Sequence, residues 1–380
     1  MQPCDLAPAY IRAIAPYQPG KPISELAREM GLDETDIVKL ASNENPLGIS
    51  PKARAAIVGL IDELALYPDG NGFELKSAIT NKLGAAFAGI GMSGIVLGNG
   101  SNDVLELVTR AFLAPGTSAV YSQHAFAVYP LVTQATGATG IEAEALNYGH
   151  DLAAMRAAIR DDTRVVFIAN PNNPTGTLLE PGALQAFLES VPEQVVVVLD
   201  EAYGEFLDAD MQAPSVAWLG QFPNLVLTRT FSKAYGLAGL RVGYALARPQ
   251  VAGLLNRVRQ PFNVNSLALA AATAALNDVD FIAESKRVND AGMAQMLQGF
   301  QGLGLEHIDS FGNFVCVKVG SPQRSAASIF QALLKQGVIV RPVGNYGMPD
   351  YLRVSIGLPE HNARFLSVLG EILQETSVSA

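Results

Sequence analysis

Apolar residues gather in short uncharged runs along the middle of the chain, at residues 94–97, 118–121, 165–169, 195–199, 225–228 and 242–246. The run at 195–199 reads Val-Val-Val-Val-Leu, with no polar residue at alternate positions. A strand that is apolar on both faces is covered on both faces, as in a parallel sheet packed between helices. Between the runs, at 104–112, 152–160 and 183–190, apolar residues recur at helical spacing. The alternation predicts an α/β fold: a large domain whose mostly parallel sheet is flanked by helices. Residues 1–50 mix Pro, Gly and polar side chains around one helical pattern at 23–31 and read as an arm packed on something larger. Beyond about residue 261 the texture changes. A long helical stretch at 265–299 leads to a strand-like piece at 313–319 and a helix near 326–336. Two short strands at 338–341 and 352–356 and a closing helix follow. The predicted division is an arm at 1–50 that joins the small domain, a large domain at 51–262, and a small α+β domain at 263–380.

Composition narrows the function classes. Of 380 residues 49% are hydrophobic and 16% charged, which excludes intrinsic disorder. With 26 Lys+Arg against 36 Asp+Glu the formal charge is −10, and no basic block stands out, so neither nucleic acid nor an anionic membrane is the expected partner. The longest stretch free of Asp, Glu, Lys and Arg, 111–141, is broken by Pro115, Gly116, Gln123, His124 and Pro130 and is not read as a membrane span. Cys4 and Cys316 form no disulfide framework, and His124, His150, His307 and His361 have no metal-ligand spacing, so no metal is expected. Asp5 and the lack of a basic segment before an apolar run predict no secretory leader and a cytoplasmic location.

In open α/β sheets ligands sit beyond the carboxyl ends of the strands, so the polar residues that follow each run are the candidates. After 94–97 come Gly98, Asn99, Gly100, Ser101 and Asn102, then a helix. Glycines and the free N–H groups of a helix start make Gly100, Ser101 and Asn102 phosphate candidates, although an ordinary capped turn has the same residues. After 165–169 comes Asn-Pro-Asn-Asn-Pro-Thr-Gly, a stiff turn able to aim an amide at a ligand, or a plain loop. Asp200 follows 195–199. A carboxylate there loses solvation unless it meets a cation or strong donor, or caps a helix, and Tyr203 lies three residues on. After 225–228, Lys233 sits in a small, apolar, Gly-containing segment with Ser232 and Arg241 on either side. That setting suits an amine that must lose its proton to act, whereas an isolated lysine is usually solvated.

Taken in order, Asn170 to Gly176, Asp200-Glu-Ala-Tyr203 and Ser232-Lys-Ala-Tyr-Gly-Leu-Ala-Gly-Leu-Arg241 resemble the pyridoxal-phosphate aminotransferases of the aspartate-aminotransferase fold. Lys39 to Gly48, Tyr67-Pro-Asp-Gly70, Ser122 to Tyr129 and Leu352 to Gly357 resemble the histidinol-phosphate branch of that family. The resemblance covers essentially the whole chain. It implies that Lys233 carries pyridoxal 5'-phosphate as a Schiff base and that Asp200 keeps the ring nitrogen protonated. It gives Tyr203 and Asn173 to the ring's phenolic oxygen. Ser101, Ser232 and Arg241, with backbone amides near Gly100 and Asn102, would hold the phosphate. Phe126 stands where the family usually has a stacking Tyr, and no role is assigned to His124. The resemblance further implies that Tyr67 reaches the phosphate of a neighbouring subunit in a homodimer. Arg353 would bind the substrate's anionic end, with Arg341 and Tyr17 as further ligands and Asn43 and Glu44 in the stretch that closes over the substrate. The implied reaction moves an amino group between L-histidinol phosphate and 2-oxoglutarate. An aromatic amino-acid aminotransferase, a threonine-phosphate decarboxylase and a non-catalytic effector domain are the alternatives, in that order.

Overall fold

The computed structural model describes residues 2–378. Seven strands form the main sheet: β1 (Ile95–Gly98), β2 (Ser118–Ser122), β3 (Thr139–Ala143), β4 (Thr163–Ala169), β5 (Val196–Asp200), β6 (Leu225–Thr230) and β7 (Gly243–Ala247). Their order is β1-β7-β6-β5-β4-β2-β3, and all run in one direction except β7, which is antiparallel to both of its neighbours. Each apolar run of the sequence lies in one of these strands, within one or two residues at the ends. The sequence pattern missed β3. It is an edge strand, largely exposed, with the composition Thr-Gly-Ile-Glu-Ala, so burial never demanded an apolar run there.

The uncharged strands follow from the two layers that cover them. Val166, Ile168, Val197 and Leu199 enter one apolar cluster, whereas Val165, Phe167, Val196 and Val198 enter another. The first is closed by the helices Phe73–Leu83, Pro181–Ser190 and Ser266–Leu276, and the second by Ser101–Phe112 and Pro249–Val258. The period of two places Asp200 on the face of Val196 and Val198, toward the layer that also holds Tyr129.

The second sheet is antiparallel: β8 (His307–Ile308), β9 (Phe314–Lys318), β10 (Arg341–Pro342) and β11 (Tyr351–Ser355), in the order β8-β9-β11-β10. The single strand expected at 338–341 is two pieces. Val338–Ile339 pairs in parallel with Val38–Lys39 from the arm, and Arg341–Pro342 pairs with β11. The helical stretch expected at 265–299 is also two elements, Ser266–Leu276 and Val279–Gly302, which meet at 81°. Asn277 and Asp278 lie at the break, residue types whose side chains compete with helical hydrogen bonding. Leu26, Ile37 and Ala41 of the first fifty residues pack with Leu334 and Ile339. Among the described residues no single helix is long and apolar enough to cross a membrane.

Candidate active site

The carboxyl ends of β1, β4, β5 and β6 open into one cleft, closed from the other side by Arg341 and Arg353 of the small sheet and by Tyr17, Gly20 and residues 41–43. Of the residues singled out in the sequence, Ser101, Asn102, Phe126, Asn173, Asp200, Tyr203, Ser232, Lys233, Arg241, Arg341, Arg353, Asn43 and Tyr17 line it. Gly100 stands at its edge as the residue before the helix Ser101–Phe112. Tyr67 does not line it: its ring is 83% exposed and stacks on Phe262 at 4.8 Å, outside the cleft of its own chain.

Asp200 ends β5 and is 5% exposed. Its Oδ2 accepts a hydrogen bond from the Tyr129 hydroxyl at 2.9 Å, and its Oδ1 is buried with no partner. Loss of solvation pushes the carboxyl up to about 6, with the Tyr129 hydrogen bond pulling the other way. In the same cleft the Lys233 amine donates to the Ser42 carbonyl at 3.1 Å and lies 5.8 Å from the centre of the Tyr203 ring. Burial first, and then the neighbouring Arg353, bring this amine down to about 8, against the opposing pull of Glu44. About a tenth of the amine is therefore neutral at pH 7, far more than of a solvated lysine.

Tyr203 is held by its neighbours. Its hydroxyl oxygen accepts from Asn43 Nδ2 at 2.9 Å, and its ring meets Phe314 edge-on. Burial raises its hydroxyl to about 12. Asn43 adopts φ 54°, a left-handed conformation that asparagine tolerates better than most residues. Its N–H donates to Ser355 Oγ at 2.8 Å, and the Ser355 hydroxyl donates back to Asn43 Oδ1 at 2.9 Å. Asn43 thus orients Tyr203 while itself lining the cleft.

The groups expected to bind anions fall into two sets. On one side, Gly100 has φ 82°, and a Cβ there would come within 2.5 Å of Arg241 Nη2. Arg241 Nη1 donates to Ser232 Oγ at 3.4 Å, and Ser101 begins its helix with free amides toward the cleft. On the other side, Arg353 donates to Asn173 Oδ1 at 2.6 Å and to the Ala41 carbonyl at 2.7 Å, while its Nε is buried without a partner. Arg341 donates to the Gln18 carbonyl at 2.7 Å and lies 5.4 Å from the Tyr17 ring centre. Asn173 accepts from a cation, so its amide oxygen points to Arg353 and its NH₂ end away from it.

Sequence reasoning passed over Tyr129, Ser355, Thr230 and Tyr346, all of which contact or line the site. A tyrosine inside the apolar segment Phe-Ala-Val-Tyr-Pro-Leu-Val was a usable signal, because a buried phenol needs a partner. Ser355 gave none, since its contact depends on the arm meeting β11. His124 lies beside the cleft with its Nδ1 2.6 Å from the Tyr346 carbonyl, and Cys316 is buried with its thiol toward the Pro174 carbonyl.

A buried amine of lowered basicity, a buried carboxylate with one unpartnered acceptor and two separate sets of cationic groups lining one cleft match one class of enzyme. The chain belongs to the class I and II aminotransferases, whose family profile matches residues 35–369. It is 59% identical over 380 residues to histidinol-phosphate aminotransferase 2 of Nitrosospira multiformis, covering 100% of this chain and 95% of that one. It is 61% identical over 370 residues to the histidinol-phosphate aminotransferase of Methylobacillus flagellatus, covering 97% and 98%. Among solved structures it resembles the histidinol-phosphate aminotransferase of Sinorhizobium meliloti in complex with pyridoxal-5'-phosphate, with a TM-score of 0.87, 27% identity and 97% of each chain covered.

Proposed function

We propose that this chain is a pyridoxal-phosphate-dependent transaminase that moves an amino group between L-histidinol phosphate and 2-oxoglutarate, and so acts in histidine biosynthesis. The observation that carries the chemistry is the unpartnered, buried Oδ1 of Asp200 in the same cleft as an amine of lowered pKa. An orphaned acceptor of that kind fits the N–H of a protonated pyridine ring, and the Gly100 edge beside Ser101, Ser232 and Arg241 fits a phosphate ester. Full-length identity of 59–61% to enzymes named for histidinol phosphate supports the substrate.

When bound, the cofactor supplies an aldehyde that condenses with amines and a cationic ring that accepts the electrons of a broken Cα–H bond. Lys233 would hold it covalently and, once displaced by the substrate amine, would carry the proton to and from the substrate Cα. Asp200 would keep the ring nitrogen charged, and Tyr203 with Asn173 would hydrogen-bond the phenolic oxygen. Phe126 offers a stacking face without a hydroxyl. Arg353, aided by Arg341 and Tyr17, would grip the far anion of either substrate. A phosphate ester and a carboxylate of the dicarboxylate each put an anion in the same place, which lets one pocket serve both half-reactions.

The exposed apolar stretch around Val58, Ile61, Leu64, Leu66, Tyr67 and Phe73 supports a homodimer in which Tyr67 reaches the partner's phosphate site. The working unit is then a cytoplasmic homodimer. Each chain has an arm at 1–50, a cofactor-binding domain at 51–262 and a small domain at 263–380.

Steady-state kinetics test the reading. L-Histidinol phosphate is expected to exceed phenylalanine in kcat/KM, and Lys233→Ala is expected to abolish turnover. A preference for phenylalanine beyond about tenfold, ~1.4 kcal/mol in transition-state binding, would establish the aromatic alternative. Release of CO₂ from an amino-acid phosphate would establish the decarboxylase.

A further inference from the structure

Asp200 has a partner that the motifs do not name. Tyr129, on the first turn of the helix Val128–Ala135, is fully buried and lies parallel to Phe167 of β4, with ring centres 4.7 Å apart and planes 6° apart. Phe126 meets the same ring edge-on at 5.8 Å. The phenol thus stacks on one aromatic ring and meets a second at its edge, with its hydroxyl aimed at Asp200 Oδ2. Phe126 itself has no hydroxyl, so the phenol at this wall comes from three residues further along the same segment.

We propose that Tyr129 is a positioning residue for Asp200: its hydroxyl occupies Oδ2, fixes the carboxylate plane, and leaves Oδ1 as the acceptor for the cofactor's ring nitrogen. The proposal rests on the cofactor reading given above. Burial and the adjacent carboxylate push the Tyr129 hydroxyl well above the ordinary tyrosine range, so it acts as a donor at every working pH. The hydrogen bond favours the ionised carboxylate, and only that form can hold a ring N–H⁺ in an ion pair. The other ionisable groups facing Asp200 are Glu201 and Tyr203 in the segment that follows it, and Lys233 in the loop after β6. Glu201 opposes ionisation of the carboxyl.

The test is cofactor affinity as a function of pH. Apo wild type and apo Tyr129→Phe are titrated with pyridoxal phosphate from pH 5 to 8, and the melting temperature of each apoprotein is measured alongside. Phenylalanine keeps the ring volume and the Phe167 stack, so the melting temperatures are expected to agree within a few degrees. Without the donor the carboxyl is harder to ionise, so affinity at pH 5 is expected to fall close to tenfold, about twofold at pH 7, and hardly at all at pH 8. The acid-side midpoint is expected to move up by about one pH unit. In an Asp200→Asn background the same substitution is expected to change affinity less than about twofold, because the group through which it acts is gone. An unshifted midpoint, or an undiminished loss in the Asp200→Asn background, would overturn the proposal. A wild type that takes up no cofactor at any pH would instead remove the reading beneath it, and this proposal with it.

Discussion

At the scale of single residues, Lys233 carries the most direct chemical prediction. Its amine is brought down to about 8 by burial and by Arg353, from the ordinary 10.5. The neutral amine is the nucleophile, so its reaction rate should climb with pH and level off above about 8. Timed acylation of the apoprotein at Lys233, read by peptide mass across pH 6–11, checks this. A midpoint near that of a solvated lysine would mean that the cleft does not desolvate the amine. Lys233 was visible in the sequence because an amine among Ser, Ala and Gly is unusual. Its lowered basicity was expected from that apolar setting, but the part Arg353 adds to burial was not, because Arg353 approaches from 120 positions away in the chain.

Among the elements, the turn between β1 and the helix Ser101–Phe112 is tightly constrained. Gly100 stands at φ 82° with Arg241 where a Cβ would go, so Gly100→Ala strains the backbone and displaces the guanidinium together. Cofactor affinity is expected to drop at least tenfold, with a stability loss of at least about 1 kcal/mol in denaturant melts. A substitution that weakens neither would show that this edge does not hold phosphate. The strands around the turn were readable as apolar runs because they are covered on both faces. The edge strand β3 was not, because exposure lets its composition drift. The split at Asn277 was likewise hidden, since the first helix ends at Leu276 and the next begins at Val279, leaving only two residues to mark the break.

For the molecule as a whole, the prediction concerns assembly. Leu66 and Tyr67 are 71% and 83% exposed and lie in a stretch rich in other exposed apolar side chains. Such a strip is expected to be covered by a second copy of the chain. Leu66→Glu should convert a species of twice the chain mass into monomer, measured by light scattering, and should weaken cofactor binding with it. A wild-type monomer that is fully active would refute the shared site.

The sequence by itself determined the order of the strands' apolar runs and which polar residues follow them, because burial on two faces and turns at strand ends leave local marks. It also marked Asn173, Asp200, Lys233 and Arg353, which the fold gathers into one cleft. Tertiary structure alone decided which atoms meet: Tyr129 on Asp200, Ser355 on Asn43, Arg353 on Asn173. Those contacts join segments separated by 71, 312 and 180 positions, and no local pattern of residues encodes which side chain will stand opposite another at such range.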